Sequence, residues 1–396
     1  MDATNAPRLA LLTADQLMDV ARSTAGLDDF GGLSFRHGLE QCVYGFRHEA
    51  QLSPLGEELA FGGVVNMLVN RLRYVRDVQR HPEILNESIA RPIVILGLPR
   101  TGTTKLQRVL SACPQAQSMT YWRMLNPAPL PDEVSGNPRG RIDVAESLVA
   151  MLAEQFPGFM ARHPTHAQQA DEEVLLMQGS FQCVVTWMFA RSPSFYDYTM
   201  SADPRPLYRF LYEQMQYLQW QDGGARGRSW VLKSPLHTGA LDVLLATFPD
   251  AVLVHCHRDV RKIVPSIAGL IQEMRRIYSD HPDAKVIGPE MLDYFGRSID
   301  RHLVQRDALP SDRILDIQYE EVLEDVVSVA QRAFARAGHM LTDEAAAIIR
   351  QHEADLPQHQ FGTYTYTAED YGTTDRQIAK RFAAYSQRFT PEIAGH

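Results

Sequence analysis

The stretch that decides the fold is Arg91-Pro-Ile-Val-Ile-Leu-Gly-Leu-Pro-Arg-Thr-Gly-Thr-Thr-Lys-Leu-Gln-Arg-Val-Leu110. Its apolar run, residues 93–96, is short and rich in β-branched side chains, which predicts a parallel strand buried on both faces. Gly97 and Gly102 then bracket a tight loop. Thr103 and Thr104 open a helix whose first backbone N–H groups lack partners within the helix and point into that loop. The stretch therefore predicts a binding site for a phosphate or a sulfate.

The spacing of this loop is close to that of the nucleotide-triphosphate motif G-x4-G-K-[ST], but Thr103 stands where the motif has its lysine. No convincing acidic residue ends a strand to hold Mg2+, so a kinase or an ATPase is disfavoured. The segment Pro99-Arg100-Thr101-Gly102-Thr103-Thr104 instead resembles the 5′-phosphosulfate loop of sulfotransferases. These enzymes transfer a sulfuryl group from 3′-phosphoadenosine 5′-phosphosulfate (PAPS) without a metal. The resemblance implies that all six residues contribute to the binding of the nucleotide.

The composition is that of an ordinary globular protein, with 396 residues of which 45% are hydrophobic and 22% are charged. No uninterrupted apolar run approaches the roughly 18 residues that a membrane span needs. The formal charge of −9 and the pI near 5.9 argue against a surface that coats nucleic acid. The four cysteines are widely spaced and lack C-x-x-C pairing, which predicts neither a zinc site nor a disulfide framework. The start shows no secretory signal, and we expect a cytoplasmic protein.

The helix and strand patterns divide the chain into segments. Residues 1–90 read as a helical preface, which begins with the capping box Thr13-Ala-Asp-Gln16 and includes a second helix from Pro54. Residues 91–396 read as one α/β domain. Within it, residues from about 121 to 220 read as a helical insertion over the edge of the sheet where substrates enter.

Strands and helices alternate through the α/β domain. After the first strand, strands are predicted from residue 230 and near residues 251–256 and 314–317. Helices are predicted from residues 103 and 319 and near residues 237–248, 260–274 and 374–389. The prolines of residues 121–131 predict an irregular segment there. This alternation predicts a doubly wound parallel sheet of the P-loop and sulfotransferase type.

Three of the predicted turns follow the carboxyl ends of strands, after Leu96, Leu232 and Cys256. In parallel sheets ligands bind outside these ends, so the three turns are expected to converge on one crevice.

The sequences at these turns extend the resemblance. Trp230-Val-Leu-Lys-Ser-Pro-Leu-His237, Phe248-Pro-Asp-Ala251 and His257-Arg-Asp259 are similar to the central segments of bacterial PAPS-dependent sulfotransferases. Tyrosylprotein sulfotransferases share this layout. The resemblance runs in order through roughly residues 91 to 390 and implies an enzyme of the EC 2.8.2 type.

The resemblance also implies roles for single residues. Arg258 and Ser266 match the arginine and serine that hold the 3′-phosphate, and an arginine can fork two donors onto a phosphate. Arg100 is expected to grip the sulfonate and the leaving phosphate. Lys233 matches the lysine that stabilises the transferring group, whose transition state mainly requires positioning and neutralisation of charge.

An acceptor hydroxyl also needs a base, and relatives often carry a glutamate after the Tyr121-Trp122 pair, where this chain has Arg123. We rank His237 first and Glu173 second as the base. Glu172 and His166 lie in the helical insertion and are further possibilities.

The segment Gly362-Thr-Tyr-Thr-Tyr366 resembles a family loop that closes over the nucleotide. Tyr366 is the residue expected to contribute there, by stacking on adenine or by excluding water.

The favoured function is metal-independent transfer of the sulfuryl group of PAPS to a hydroxyl of a small molecule or lipid, leaving adenosine 3′,5′-bisphosphate. An ATP-dependent phosphotransferase and a non-catalytic nucleotide-binding module are the alternatives. The identity of the acceptor is open, because the insertion indicates only an apolar lining. No partner nucleic acid is expected, and the sequence does not indicate an oligomeric state.

Overall fold

The structure is a computed structural model, and it describes residues 13–355 and 367–390. At its centre lies a sheet of five parallel strands, in the order β2-β3-β1-β4-β5. The strands are β1 Ile93–Leu96, β2 Ala116–Ser118, β3 Ser229–Lys233, β4 Val252–His257 and β5 Ile314–Gln318. The four strands predicted from the sequence are confirmed, and β2 is an edge strand that the sequence did not indicate.

The first strand, β1, lies in the middle of the sheet, where Val94 pairs in register with Leu232 of β3 and with Leu253 of β4. Its side chains alternate between two cores. Ile93 and Ile95 belong to one hydrophobic cluster, whereas Val94 and Leu96 belong to the other. Helices therefore cover both faces, and the predicted doubly wound sheet is confirmed.

Most of the remaining chain is helical. In chain order the α-helices of the described residues are α1 Ala14–Ala25, α2 Arg36–His48, α3 Pro54–Arg80, α4 Thr103–Ser111, α5 Tyr121–Leu125, α6 Arg139–Gln155, α7 Pro157–Arg162, α8 Val174–Met177, α9 Val185–Phe189, α10 Pro193–Ser201, α11 Arg205–Gln221, α12 Leu241–Thr247, α13 Val260–Tyr278, α14 Ala284–Asp307, α15 Tyr319–Glu324, α16 Val326–Arg336, α17 Asp343–Asp355, α18 Asp375–Arg381 and α19 Ala383–Phe389. Within these ranges no helix is both long enough and apolar enough to cross a membrane.

The N-terminal helices begin where their caps predict. The capping box of Thr13 and Gln16 opens α1, and Gly26 ends it in the left-handed conformation at φ 64°. The hydroxyl of Ser53 caps α3, whose first residue is Pro54. Buried apolar residues of α1 and α3 belong to the same cluster as Val94, so the predicted helical preface packs directly on the sheet domain.

Three local predictions need correction. The segment 121–131 is not irregular throughout, because Tyr121–Leu125 forms the short helix α5 before the prolines begin. The predicted helix near 237–248 is a 3-10 turn, Pro235–Gly239, followed by α12. The last predicted helix is two helices, since the chain bends at Phe382 between α18 and α19.

Candidate active site

The loop between β1 and α4 has a backbone that few residues other than glycine adopt. Gly97 has φ 132° and lies so close to β4 that a Cβ atom would come within 2.5 Å of the carbonyl oxygen of Cys256. Gly102 has φ 85° and forms the N-cap of α4. Arg100 also has a positive φ, 68°. The chain therefore turns tightly over the carboxyl end of the sheet before the helix begins.

Two hydrogen bonds hold this loop in its conformation. The Thr101 hydroxyl donates to the carbonyl oxygen of Leu98 at 2.8 Å, and Thr101 is fully buried. The Gly97 N–H donates to Oγ1 of Thr238 at 2.9 Å. Pro99 lies half-buried at the rim of the loop. Thr101 therefore fixes the shape of the loop, and the neighbouring backbone is left to meet an anion.

The N-terminus of α4 points into the loop. Thr103 and Thr104 are its first two residues, and Gly102 has no side chain with which to cap their N–H groups. Such N–H groups, together with the helix dipole, favour a bound phosphate or sulfate. The structure thus brings the predicted anion cradle together with the carboxyl end of β1.

Two arginines join the loop to the start of α13. The Arg258 guanidinium donates to the carbonyl oxygen of Arg100 at 2.7 Å, and its central carbon lies 3.9 Å from the ring centroid of Tyr319. Nε of Arg100 donates to the hydroxyl of Ser266 at 3.2 Å. Arg100, Arg258 and Ser266, which the sequence placed far apart, therefore form one group beside the loop. Tyr319 was not predicted, although it follows directly the carboxyl end of β5, where ligand-binding residues are expected.

Lys233 ends β3 and reaches across to the same loop. Its side chain is only 1% exposed, and Nζ donates to Oγ1 of Thr104 at 3.2 Å. Nζ also lies 2.5 Å from Oε1 of Glu172, whose side chain is 23% exposed. A desolvated ammonium therefore stands between the start of α4 and an acidic side chain of the helical insertion.

His237 and Glu173 lie beneath this ion pair, and neither side chain is exposed. Glu173 accepts from the backbone N–H of Lys233 at 2.8 Å, and its other oxygen lies 2.6 Å from Nε2 of His237. The hydroxyl of Tyr208 lies 2.7 Å from Nδ1 of His237. Since a carboxylate accepts, Nε2 carries the imidazole proton and Tyr208 donates to Nδ1. The structure thus gives both predicted bases partners within the protein, and their burial does not support direct contact with an acceptor.

Burial raises the pKa of Tyr208 well above its usual value, and the nearby charge of Glu173 raises it further. Tyr208 is therefore a neutral donor at physiological pH. The buried row Tyr208, His237 and Glu173 holds the backbone of Lys233 and so fixes the end of β3.

Two further sequence observations have a structural outcome. Arg123 is mostly buried, donates to the carbonyl oxygen of Leu218 and pairs with Asp222 at 3.0 Å, so it supports the fold at the edge of the sheet. Tyr366 lies outside the residues that the structure describes. Its predicted contact with the nucleotide remains a prediction.

Comparisons with known proteins agree with this geometry. The model of the sulfotransferase family matches residues 92–343, which is more than half of the chain. Omega-hydroxy-beta-dihydromenaquinone-9 sulfotransferase Stf3 of Mycobacterium bovis is 26% identical over 325 residues, which cover 76% of this chain and 77% of that protein. The protein of the same name from Mycobacterium tuberculosis gives the same figures.

Solved structures give the same family. The sulfotransferase STF9 of Mycobacterium avium has a TM-score of 0.85 at 26% identity, over 98% of this chain and 98% of that chain. The sulfotransferase STF1 of Mycobacterium tuberculosis has a TM-score of 0.77 at 29% identity, over 95% of this chain and 100% of that chain. Together with the loop, the arginines and the buried lysine at the ends of three adjacent strands, these matches show that the chain belongs to the sulfotransferase family and is a sulfotransferase.

Proposed function

We propose that this enzyme transfers the sulfuryl group of PAPS to a hydroxyl group of an apolar small molecule or lipid. The observation that carries the proposal is the position of Lys233. Its ammonium contacts Thr104 of the nucleotide loop on one side and Glu172 of the helical insertion on the other. It therefore stands where a donor held by the loop and an acceptor held by the insertion would meet.

The residues beside the loop suit a donor with two anionic ends. The N–H groups of Thr103 and Thr104 face one end, and Arg100 belongs to the same loop, where its backbone has a positive φ. Arg258 and Ser266 suit a phosphate at the other end, because the guanidinium can donate two parallel hydrogen bonds. Thr103 in place of the loop lysine favours PAPS over ATP as the donor.

We assign each residue a role according to the charge that changes near it during sulfuryl transfer. Lys233 is assigned to the oxygen that bridges sulfur and phosphorus, where negative charge grows as the S–O bond breaks. Arg100 is assigned to the sulfonate oxygens. Glu172 is assigned as the base: it accepts the proton of the acceptor hydroxyl as the new O–S bond forms, and the bond electrons leave with the nucleotide.

Glu172 is a better candidate for the base than either residue ranked from the sequence. Its side chain is 23% exposed, whereas His237 and Glu173 are fully buried and hydrogen-bonded to each other. We assign the buried pair a positioning role, since Glu173 holds the backbone N–H of Lys233.

A relative indicates the class of acceptor. The Mycobacterium bovis relative is named for an omega-hydroxy menaquinone, which is a lipid acceptor. Its name supports a hydroxylated lipid over a short polar alcohol.

The test is a transfer assay with 35S-labelled PAPS and a panel that contains hydroxylated quinone lipids, long-chain alcohols, sterols and simple phenols. We expect labelled product from an apolar hydroxylated member in the presence of EDTA, and about 100- to 1000-fold slower formation of it with Lys233→Ala. Transfer of the γ-phosphate of ATP in the presence of Mg2+ would instead support a phosphotransferase. Thermal stabilisation by adenosine 3′,5′-bisphosphate without transfer to any acceptor would support a binding module.

A further inference from the structure

Three histidines and an aspartate cluster at the carboxyl ends of β4 and β5, behind Arg258. His255 and His257 are two residues apart on β4 and therefore point to the same face of the sheet. Asp316 lies opposite His255 in the register of the two strands. One possible ligand atom from each of His255, His257 and Asp316 lies within 4.8 Å of the others. The ring of His302, on α14, lies 4.5 Å from that of His255.

His255 is one of several residues whose buried polar atoms have no partner among the described residues. Its side chain is fully buried, and within the described residues neither ring nitrogen has a hydrogen-bond partner. Buried polar groups in native proteins are nearly always paired, so an exception of this kind requires an explanation.

The hydrogen bonds of the other two histidines fix where their lone pairs are. Nδ1 of His302 lies 3.0 Å from the carbonyl oxygen of Thr238 and must donate to it, so Nε2 carries a lone pair that has no partner among the described residues. Nε2 of His257 lies 2.8 Å from Oδ1 of Asp316, and Nδ1 lies 3.0 Å from the hydroxyl of Tyr385.

We propose that His255, His257 and Asp316 bind one divalent transition-metal ion of the zinc and cobalt class, with His302 as the candidate for a fourth ligand. Neutral imidazole and carboxylate are the ligands that such ions take in four-coordinate sites. The site is distinct from the catalytic group around Lys233.

The geometry requires only small movements. Ligand atoms around a tetrahedral zinc ion are about 3.3 Å apart. Nε2 of His257 and Oδ1 of Asp316, which lie 2.8 Å apart, must therefore separate slightly, and the other ligand atoms must approach by at most about 1.5 Å, which rotation of the side chains can supply. On binding, His257 loses the proton on Nε2 and gains one on Nδ1, which then donates a hydrogen bond to the hydroxyl of Tyr385; that hydroxyl turns its own hydrogen away from Nδ1. Arg306 donates to both oxygens of Asp316, at 2.9 and 2.5 Å, and so holds the carboxylate ionised and oriented from outside the metal.

Such an ion would connect the two strands immediately before Arg258. His257 is the residue next to Arg258 in the chain, so a metal there would fix the turn that carries the proposed ligand of the 3′-phosphate. Its role would be structural, because the full set of protein ligands leaves no open position for a substrate.

The test uses the whole purified protein, stripped with EDTA and then titrated with Co2+ and with Zn2+. We expect one ion per chain at micromolar concentrations and the visible absorption bands of tetrahedral Co2+. His255→Gln should weaken binding at least about tenfold, since even outer partners of metal ligands commonly cost 10- to 100-fold in affinity. The matched control is His281→Gln, which changes an exposed histidine and should bind as the unchanged protein does.

X-ray absorption spectroscopy of the metal-loaded unchanged protein does not depend on whether a variant folds. We expect at least two imidazole ligands per metal. Fewer than two, no binding at micromolar metal, or equal binding by His255→Gln would each overturn the proposal and leave the cluster as a buried polar site.

Discussion

Nζ of Lys233 lies 2.5 Å from Oε1 of Glu172, and this ion pair joins the end of β3 to the helical insertion. The lysine is 1% exposed, whereas the glutamate retains contact with solvent. A second contact, from Nζ to the hydroxyl of Thr104, ties the pair to the start of α4. The donor loop and the acceptor side of the enzyme therefore meet at one charged group.

Lys233→Ala should lower kcat far more than it lowers affinity for the donor. The ammonium is assigned to charge that appears mainly in the transition state, and removing one preorganised donor of this kind costs about 100- to 1000-fold in rate. Lys233→Arg should restore little activity, because a planar guanidinium cannot replace a compact ammonium there. Steady-state kinetics and calorimetry with adenosine 3′,5′-bisphosphate measure the two effects separately.

Lys105→Ala is the matched control for this prediction. Lys105 lies on α4 next to Thr104 and pairs with Glu353 at 2.6 Å, so its replacement also breaks an ion pair of partly buried side chains. We expect near-normal kcat. If Lys233→Ala retained normal turnover, or lost rate and binding equally, another cation would have to act at the transferring group.

Glu172→Gln and Glu173→Gln should separate catalysis from stability. Glu172→Gln removes the proposed base and keeps the shape of the side chain, so kcat should fall by about 100- to 10,000-fold. Glu173→Gln leaves one of two buried donors without an acceptor, and the free energy of unfolding should fall by about 1–3 kcal/mol. Activity assays combined with urea unfolding measure both. Normal activity in Glu172→Gln would show that another residue acts as the base.

Arg258→Ala should weaken binding of adenosine 3′,5′-bisphosphate by about 10- to 100-fold, because a charge-assisted contact contributes roughly 1.5–3 kcal/mol. Isothermal calorimetry is the measurement. Lys262→Ala, which removes an exposed cation one turn into the same helix, is the control and should bind normally. Equal affinity of Arg258→Ala and the unchanged enzyme would remove Arg258 from the nucleotide site.

Gly97→Ala should destabilise the protein by about 2 kcal/mol or more. A methyl group there would lie 2.5 Å from the carbonyl oxygen of Cys256, at a φ of 132° that residues with a Cβ rarely adopt. Gly62→Ala is the control: it lies within α3 with no atom within 4 Å of the added carbon, and should stabilise by about 0.5–1 kcal/mol. Unfolding midpoints of the two variants should therefore move in opposite directions.

The central strands could be predicted because a short apolar run is typical of a strand that is buried on both faces. The strands β1, β3, β4 and β5 each contain a run of apolar residues between turn signals. β2 could not be predicted, since Ala116–Ser118 has three residues and only one of them is apolar. The amphipathic pattern of α14 was also missed, because Gly and Pro residues near its start resemble a loop signal.

Some residues of the candidate site could likewise be predicted from the sequence, and others could not. Arg258 and Lys233 could be identified because Arg258 follows β4 directly, Lys233 ends β3, and both lie in segments that resemble the family. The base could not, because Asp171, Glu172 and Glu173 are three consecutive acidic residues, and only tertiary packing turns Glu173 inward and Glu172 toward Lys233. The identity of the donor, the cytoplasmic location and the contact of Tyr366 stay predictions.

The ion pair of Lys233 and Glu172 affects a sulfuryl donor that is bound to the enzyme while no acceptor is present. The carboxylate largely cancels the charge of the ammonium, so without an acceptor the lysine interacts more weakly with the oxygen that bridges sulfur and phosphorus. If Glu172 is the base, as proposed, it becomes neutral only when it takes the acceptor proton, and the lysine then regains its full charge. On this proposal, one ion pair would time both the deprotonation of the acceptor and the activation of the leaving group, and it would protect the bound donor from hydrolysis between turnovers.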